Sequence, residues 1–224
     1  MRILIVTATA SEVDFKGITC KKRCKPVTLT ETFNHQVDLI VTGIGAVATA
    51  FYTTRFAEGY QFILNMGIAG SYSSDYPIGS VVCVKQDAFG DYGIDDRGVF
   101  KSLIENRLID EDEKPYQGGV LINPNISKFP IKRTPLVNGI TLATASGSIE
   151  RIEQLRSIWN PDIETMESAA IFYVCSMLEI PFICIRSISN MVEPRDRSKW
   201  DLRMAITNLN AFTRNLINAL PETL

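Results

Sequence analysis

Carboxylate and amide side chains lie at the edges of two very apolar segments in the last third of the chain. Glu164 and Glu167 come just before the apolar run 168–178, and Asn190 follows the apolar run 182–185. Carboxylates accept hydrogen bonds, and an amide both donates and accepts them. In open α/β sheets, ligands bind in the crevice beyond the carboxyl ends of the strands, so these residue types at these places predict a ligand site.

Both apolar segments predict regular structure that would position these side chains. Residues 168–178 are apolar on almost every face and contain neither Gly nor Pro, which predicts a helix buried on most sides and ended by Pro181. Residues 182–185 form a short apolar run that is typical of a strand covered on both faces. Asn190 then lies where that strand would end.

Glu12 lies in a comparable place near the beginning of the chain. Residues 2–6 predict a first buried strand, and the small residues of 7–13 form the turn that follows it. The helix dipole favours an acidic residue at the start of a helix, so a solvated structural role explains Glu12 on pattern alone. A position at the edge of the ligand crevice is the alternative.

Two further strands are predicted to end in glycine-rich turns. Residues 38–42 lead to Gly45 and the helical run 46–58, and residues 62–66 lead to the turn 67–70. Glycine allows positive φ and close backbone approach, which suits either simple turn geometry or the lining of a site. The turns lack the third glycine and the later acid of a dinucleotide fingerprint, which disfavours a Rossmann cofactor site. Their similarity predicts strands that open on one crevice.

The remaining pattern predicts a single α/β domain over residues 1–224. Further strands are predicted at 80–84, 119–122 and 139–143, and further helices at 149–159 and 202–220. Ser146 or Ser148 is the expected cap of the first helix, and Ser198 with Asp201 resembles a capping box before the second. Residues 87–100 have neither helical nor strand period, which predicts a loop.

Composition excludes several classes of function. The chain has 224 residues, of which 46% are hydrophobic and 21% charged, as expected for one globular domain with a full core. A net charge of -2 and a pI near 5.6 provide no general attraction to nucleic acid or to anionic lipid. No apolar run is long enough to span a membrane and no secretory signal is apparent, so a cytoplasmic location is expected.

The cysteines and the histidine predict neither a metal site nor a covalent nucleophile. Cys20 and Cys24 have no second cysteine pair, so a zinc site is not expected there. His35 is the sole histidine and lies in a polar stretch, which predicts an exposed side chain that activates no Ser or Cys nucleophile. Reduced core cysteines are expected at the three apolar positions, Cys83, Cys175 and Cys184. Neither a metal nor a cofactor is expected.

Three segments of the chain carry a resemblance: Met166 to Ala170, Pro181-Phe182 and Arg186 to Asn190. Together they resemble the signature of the purine nucleoside phosphorylase and nucleosidase superfamily, which in its familiar form has Met-Glu, a buried helix and then Arg-Ala-Ile-Ser-Asp. This chain departs from the signature by ending in Asn. The resemblance covers nearly the whole chain and implies an α/β fold with a three-layer αβα sandwich, a central mixed sheet and the architecture of nucleoside phosphorylases.

The resemblance also implies roles for individual residues. It places Met166 against a ribose ring, the Glu167 carboxylate on the ribose hydroxyls, and Asn190 on the base. It implies that Glu12 holds and deprotonates a water molecule. The structural alternatives are a Glu167 paired with Arg186 and an Asn190 that caps its strand.

The glycine turns and the turn after residue 143 are implied to wall the nucleoside site. The lining residues implied by the resemblance are Gly45, Gly67, Ala69, Gly70, Thr144 and Ala145. Turn geometry and helix capping are the alternative explanations for these positions.

Cleavage of an N-glycosidic bond requires a stabilised oxocarbenium-like sugar, help for the departing base, and a nucleophile. Phosphorylases of the superfamily bind phosphate with arginines beside the glycine turns. Residues 7–16 and 67–77 contain no Arg, which disfavours phosphorolysis and predicts hydrolysis of a small nucleoside.

Residues 89–100 and 189–200 are similar to the futalosine hydrolases of this superfamily. The similarity implies hydrolysis of futalosine to hypoxanthine and dehypoxanthine futalosine in menaquinone biosynthesis. Arg197 lies in the second segment, where a guanidinium can bind the carboxylate of the 5' substituent, and a solvated charged helix start is the alternative.

Three rival functions remain open. They are a 5'-methylthioadenosine or S-adenosylhomocysteine nucleosidase, a purine nucleoside phosphorylase, and a nucleoside-binding relative without activity. Asn190 in place of Asp argues against the first of them. A homodimer or higher homo-oligomer is expected, with no nucleic-acid or membrane partner.

Overall fold

The structure is a computed structural model that describes residues 1–15, 25–31 and 33–222. The expectation for Cys20 and Cys24 falls outside these residues. No helix within the described ranges is long and apolar enough to cross a membrane.

The described residues form twelve strands and four α-helices. The strands are β1 (Arg2–Thr7), β2 (Val27–Thr28), β3 (Gln36–Val41), β4 (Phe62–Ser71), β5 (Val81–Asp87), β6 (Gly93–Asp96), β7 (Val99–Ser102), β8 (Tyr116–Gln117), β9 (Val120–Ile122), β10 (Leu136–Thr141), β11 (Ile163–Thr165) and β12 (Phe182–Met191). The helices are α1 (Ala46–Phe56), α2 (Ile149–Trp159), α3 (Ser168–Leu178) and α4 (Leu202–Ala219). Short 3₁₀ turns are formed by Ala10–Glu12, Ile126–Lys128 and Arg197–Lys199.

A mixed sheet organises the molecule. Strand β1 lies between β3 and β4 and is parallel to both. Strand β12 is parallel to β4 and antiparallel to β5, while β11 and β10 join the same two strands by a second route. The sheet therefore curls on itself, with β12 at its centre.

Helices cover both faces of this sheet. On β1, Ile3 and Ile5 pack in a core cluster with residues of α4, such as Leu209. Leu4 and Val6 alternate to the other face and pack in a cluster that includes much of α3. Because successive side chains of a strand point to opposite faces, continuous apolar strands serve two cores at once. The predicted mixed sheet between helix layers is confirmed.

The helices begin where the sequence predicted, but α1 ends at Phe56 and not at residue 58, α4 ends at Ala219 and not at residue 220, and one cap differs. Both α2 and α3 have their predicted bounds, and Ser148 caps α2 by accepting the Arg151 N–H at 3.3 Å. The predicted capping box of α4, Ser198 with Asp201, is wrong for Ser198. Asp201 accepts the Met204 N–H at 2.8 Å, but Ser198 lies in a separate 3₁₀ turn and bonds to Asp196.

The turn predicted at residues 67–70 is wrong, because β4 continues through the glycines to Ser71. Its partner β12 also extends to Met191, which pairs Gly67 with Arg186 and Gly70 with Asn190. Side chains crowd both glycines: a Cβ at Gly67 would lie 3.1 Å from Glu12 Oε1, and one at Gly70 would lie 2.9 Å from Val192. Glycine is used here for close approach within a strand rather than for a turn.

The loop predicted over residues 87–100 is wrong for its second half. Strands β6 and β7 form a two-stranded hairpin, and its turn residues Arg97 and Gly98 have φ angles of 56° and 87°. Two successive positive φ angles match the twist of a tight hairpin. The strands are short and largely exposed, which explains the absence of a clear alternating pattern.

The sole histidine is buried, contrary to the prediction of an exposed side chain. His35 is 8% exposed, and its Nε2 lies 3.2 Å from the Leu220 carbonyl oxygen, where the end of the last helix covers it. The cysteines follow the prediction, since three described cysteines are free and buried, Cys83, Cys175 and Cys184.

Candidate active site

The polar side chains singled out in the sequence gather at one end of the central strands. Thr7 ends β1, and Asn190 lies near the end of β12. Helices α1 and α3 begin beside them, at Ala46 and Ser168. Carboxyl ends of strands and amino ends of helices therefore meet at one edge of the sheet, and the ligand crevice expected there stays a prediction.

Glu12 is a buried carboxylate with defined partners. Its side chain is 7% exposed, so the solvated alternative is wrong. Oε2 accepts the Thr7 hydroxyl and the Thr9 N–H, both at 2.8 Å. Oε1 has only a long contact, 3.4 Å from the Ile68 N–H. One oxygen is thus held by the protein, and the other retains capacity to accept a hydrogen bond.

Arg186 is a second buried charge in the same place. It is 1% exposed, and its guanidinium donates to the side chain of Asn65 and to the Ile185 carbonyl at 2.8 Å. Its Nε has no hydrogen-bond partner among the described residues. Arg186 and Glu12 both border Gly67, with Nε 3.7 Å and Oε1 3.1 Å from the position of a Cβ there.

Glu167 connects the beginnings of two helices. It occupies the N-cap position of α3, and its Oε1 accepts the Gly45 N–H, which precedes α1, at 2.9 Å. Burial raises the pKa of Glu167 above its ordinary value, and the Gly45 hydrogen bond and the charge of Arg186 oppose that rise. The charge of Glu12 adds to it, so the two carboxylates lie close enough to interact.

Gly45 adopts a φ of 98°, which strongly favours glycine, and no heavy atom lies within 4 Å of the position of a Cβ. The predicted glycine turn is therefore present here. Its N–H is used by the Glu167 carboxylate rather than left free. Glu167 is bonded to Gly45 and not, as the structural alternative supposed, to Arg186.

Asn190 lies on the same strand as Arg186, further toward the end. Its Oδ1 accepts the Ser189 hydroxyl at 2.8 Å, and its Nδ2 donates to the Met191 carbonyl at 3.0 Å. One of the two Nδ2 hydrogens is therefore occupied. A single N–H remains for a ligand, and the local bond to Met191 means that the strand-end role also holds.

A third carboxylate, that of Glu164, holds the 144–148 turn in place. Glu164 is 9% exposed, and it accepts the Ser146 N–H at 3.0 Å and the Tyr72 hydroxyl at 2.9 Å. Burial and the Glu164 charge raise the pKa of Tyr72, so the phenol stays a hydrogen donor. Thr144 and Ala145 are exposed on this turn.

The other predicted residues differ in how near they come to the carboxylates. Met166 directly precedes Glu167 and is half-buried. The Ala69 side chain packs in the core cluster that contains residues of α3. The Ala69 carbonyl oxygen accepts the Ser189 hydroxyl from β12. Arg197 is exposed and lies over the Trp200 ring at 5.9 Å.

Sequence reasoning singled out Glu164 without assigning it a partner, and it missed Arg186 and Tyr72 as parts of this site. Arg186 was considered only as a partner of Glu167. A cation in the middle of a buried strand was the available signal, because an isolated buried charge is expensive and needs opposite charges nearby. No local sequence pattern predicts the contact between Tyr72 and Glu164, since it joins two distant segments.

Comparison with known proteins gives a family and several relatives. A family model described as the phosphorylase superfamily matches residues 3–220. A 5'-methylthioadenosine/S-adenosylhomocysteine nucleosidase from Buchnera aphidicola subsp. Schizaphis graminum is 29% identical over 230 residues, covering 94% of this chain and 93% of the relative. The same enzyme from Actinobacillus succinogenes is 27% identical over 204 residues, covering 85% and 86%.

Solved structures share the fold. Native futalosine hydrolase of Helicobacter pylori has a TM-score of 0.76 at 18% identity, over 98% of both chains. A 5'-methylthioadenosine/S-adenosylhomocysteine nucleosidase from Colwellia psychrerythraea, in complex with adenine, has a TM-score of 0.79 at 18% identity, over 100% of this chain and 97% of that one. At such identities the likeness shows the architecture.

Proposed function

The chain belongs to the phosphorylase superfamily, and we propose that it is a nucleosidase that hydrolyses the N-glycosidic bond of a purine nucleoside. One observation carries the proposal. Two carboxylates that lie close enough to interact, the buried Glu12 and the half-buried Glu167, are each oriented by a backbone N–H group, from Thr9 and Gly45 respectively. A carboxylate pair with different environments suits a base and a binder of developing positive charge.

Glu12 is the proposed general base. Its Oε2 is held by Thr7 and Thr9, while Oε1 keeps capacity to accept a bond from water. Arg186 Nε borders the same place and can donate to that water. The water oxygen attacks the anomeric carbon, and its proton passes to Glu12.

Glu167 is proposed to accept hydrogen bonds from the ribose hydroxyls. Its negative charge stabilises the oxocarbenium-like sugar that forms as the C–N bond breaks. Met166, the preceding residue, is proposed to pack against the sugar ring. The electron pair of the broken bond goes to the base, which takes up a proton from solvent, and Glu12 later returns the proton of the water to solvent. Asn190 donates its remaining N–H to a base acceptor.

Hydrolysis is favoured over phosphorolysis by how the backbone donors are used. The N–H groups of a glycine turn and of a helix start normally bind anions such as phosphate. Here the Gly45 N–H and the Ile68 N–H bond to protein carboxylates. Two carboxylates at this position would repel a phosphate dianion.

Futalosine is the proposed substrate, because residues 89–100 and 189–200 resemble futalosine hydrolases. The second candidate is 5'-methylthioadenosine or S-adenosylhomocysteine, which the relatives at 29% and 27% identity favour by name. Asn190 does not decide between them. With one N–H free and an oxygen that can accept, its amide suits the acceptor edge of hypoxanthine or the mixed edge of adenine.

The deciding experiment measures free base from futalosine, inosine and 5'-methylthioadenosine side by side, with and without phosphate. We expect hypoxanthine release from futalosine at a rate that does not depend on phosphate. Release of adenine from 5'-methylthioadenosine, with no base released from futalosine, would show that futalosine is the wrong substrate. The proposed hydrolytic reaction would still hold. Base binding without release from any nucleoside would reject enzymatic function.

Arg197 is proposed to bind the 5' carboxylate of futalosine. Of its basic neighbours, Lys199 is paired with Glu193 at 2.9 Å. Arg195 lies over the same Trp200 ring as Arg197, at 5.6 Å and 5.9 Å respectively. Replacing Arg195, Arg197 and Lys199 singly by Gln tests the assignment. The Arg197 variant alone should lose preference for futalosine over inosine, and an unchanged preference in it would reject the role.

A homodimer is also proposed, supported by an exposed apolar surface on α1. Ile44, Val47 and Phe51 are 63%, 80% and 56% exposed, and α1 packs beside α3, which exposes Met177. Apolar side chains grouped in this way are typical of an interface. Val47→Asp should shift the protein from dimer to monomer in light scattering, and a wild-type monomer would contradict the proposal.

A further inference from the structure

The first turn of α3 receives its cap from another strand. Glu167 occupies the N-cap position, yet its carboxylate makes no hydrogen bond to the N–H groups that follow. The Ala169 N–H instead donates to Thr141 Oγ, on β10, at 2.8 Å. The Glu167 carboxylate is therefore free of its own helix and bonds to Gly45, 2.9 Å away.

Asp87 holds Thr141 in this position. The Thr141 hydroxyl donates to Asp87 Oδ1 at 2.9 Å, and the two side chains are 2% and 1% exposed. A hydroxyl has one hydrogen, so donation to Asp87 turns its lone pairs toward the Ala169 N–H. The carboxyl itself is closely packed, since a Cβ at Gly139 would lie 2.4 Å from Asp87 Oδ2.

This arrangement removes a competition for the Glu167 carboxylate. Unpaired N–H groups at a helix start attract an adjacent carboxylate, through hydrogen bonds and the helix dipole. Thr141 occupies the Ala169 N–H, and Thr165 Oγ accepts the Ser168 N–H at 3.3 Å. With these donors satisfied, Glu167 gains little by turning back to cap α3.

We propose that Asp87 and Thr141 are positioning residues, which cap α3 across the sheet and thereby keep the Glu167 carboxylate directed to Gly45 and the sugar. The kinetic consequence rests on the proposed function. The geometric consequence does not, because the Gly45 N–H reports the position of Glu167 in the free protein.

Amide hydrogen exchange by NMR tests the geometry without substrate. Relative to core amides of β12, Thr141→Val and Asp87→Ala should deprotect both Ala169 and Gly45. Thr141→Ser and Asp87→Asn, which keep a hydroxyl and an acceptor oxygen, should restore protection and also serve if the larger changes prevent folding. Deprotection of Ala169 with Gly45 unchanged would overturn the proposal.

A matched control is available on the other side of the sheet. Asp38 is also a buried carboxylate that accepts two hydroxyl bonds, from Thr28 and Tyr60, each at 2.6 Å. Asp38→Ala should lower stability but leave Ala169 and Gly45 protected. Loss of protection at both amides in this control would mean that any buried carboxylate deletion has the effect, and would overturn the specific role.

A double-mutant cycle tests the catalytic consequence with the better of futalosine and 5'-methylthioadenosine. Thr141→Val should lower kcat/KM roughly 10- to 100-fold, the size expected of a displaced catalytic group, and Thr141→Ser should restore it. In a Glu167→Gln background the same change should cost less than about twofold. Equal losses in both backgrounds would overturn the positioning role. Absence of wild-type turnover would reject the proposed function, while amide exchange still decides the cap.

Discussion

Two groups of charged side chains lie at opposite ends of β12 and α3, and they differ in how far they are buried. The crevice at the carboxyl end of β12 contains Glu12 and Arg186, which are 7% and 1% exposed. The groove at the other end has a volume of about 410 Å³ and includes Phe182, Lys114 and Glu179 in its lining. There the charged side chains form a surface pair that is 58% and 77% exposed.

Because of this difference, the proposed active site rests on buried charge and not on open volume. Water stabilises the exposed pair of the groove whether or not the two groups meet, so their arrangement requires no functional explanation. In the crevice, desolvation is expensive and must be offset by hydrogen bonds and opposite charges. A fold retains such charges where chemistry needs them.

The largest effect is expected at Glu12. Glu12→Gln keeps the shape of the side chain and removes the proton acceptor, so kcat should fall roughly 100-fold or more while nucleoside binding changes little. Single-turnover kinetics with calorimetric binding checks both parts. Near-normal turnover would remove Glu12 from the mechanism. It would also weaken the link between buried charge and function at this end of β12.

Glu167→Gln is expected to weaken binding and turnover together, because bonds to the ribose hydroxyls exist in the bound nucleoside and strengthen as positive charge develops. Losing a hydrogen bond to a charged group costs about 1.5–3 kcal/mol, which corresponds to roughly 10- to 150-fold. Steady-state KM and kcat measure it. A variant with full activity and lower stability would assign Glu167 a structural role.

The pH profile provides a second test of Glu167. Burial raises the pKa of Glu167 in the folded protein, and the proposed mechanism requires its ionised form. Activity is therefore present above that raised pKa and is lost as the pH falls through it, at a pH above the ordinary glutamate range. The acid limb of kcat/KM should show this limit in the wild type, and Glu167→Gln should lack it.

Asn190→Asp is expected to change substrate preference rather than abolish activity. An ionised carboxylate faces two acceptors on hypoxanthine but can accept from the amino group of adenine. An unmatched buried polar group costs about 1–3 kcal/mol, so the preference should move toward the 6-amino nucleoside by roughly tenfold or more. The kcat/KM ratio of futalosine to aminofutalosine measures it, and an unchanged ratio would mean that Asn190 does not select the base.

A smaller effect on stability is expected from Asp87. Burial raises its pKa to about 7 from 3.8, against the Thr141 and Ser168 hydroxyls and the charge of Arg186. The folded state thus favours the protonated form, whose contribution is complete below pH 3.8 and is lost as the pH rises through about 7. The limiting slope is about 1.4 kcal/mol per pH unit. Between pH 6 and pH 8, the free energy of unfolding measured in urea should therefore fall less in Asp87→Asn than in wild type.

The smallest effect is expected in the groove. Lys114→Ala and Glu179→Ala remove an exposed ion pair at 2.8 Å, so melting temperature should hardly change and kcat/KM should stay within about twofold. Loss of activity in either variant would show that the groove takes part in function. Exposed charges would then matter as well as buried ones.

Local sequence patterns were sufficient to predict elements whose hydrogen bonds connect residues close in sequence. Helices α2 and α3 have their predicted bounds, since helical hydrogen bonds connect residues four apart and the apolar stripe shows the buried face. The chemical types at the crevice, Glu12, Glu167 and Asn190, were also apparent, because the carboxyl ends of strands are where polar residues gather.

Tertiary structure alone decided what depends on distant partners. Strand β4 runs through Gly67 because β12 offers it a ladder of hydrogen bonds, and no pattern within 62–71 reports that pairing. Thr141 caps α3 although it belongs to another strand, and Arg186 lies beside Glu12 only after the strands assemble. Side-chain chemistry is a property of each residue, whereas the electrostatic environment of a buried charge is a property of the assembled fold.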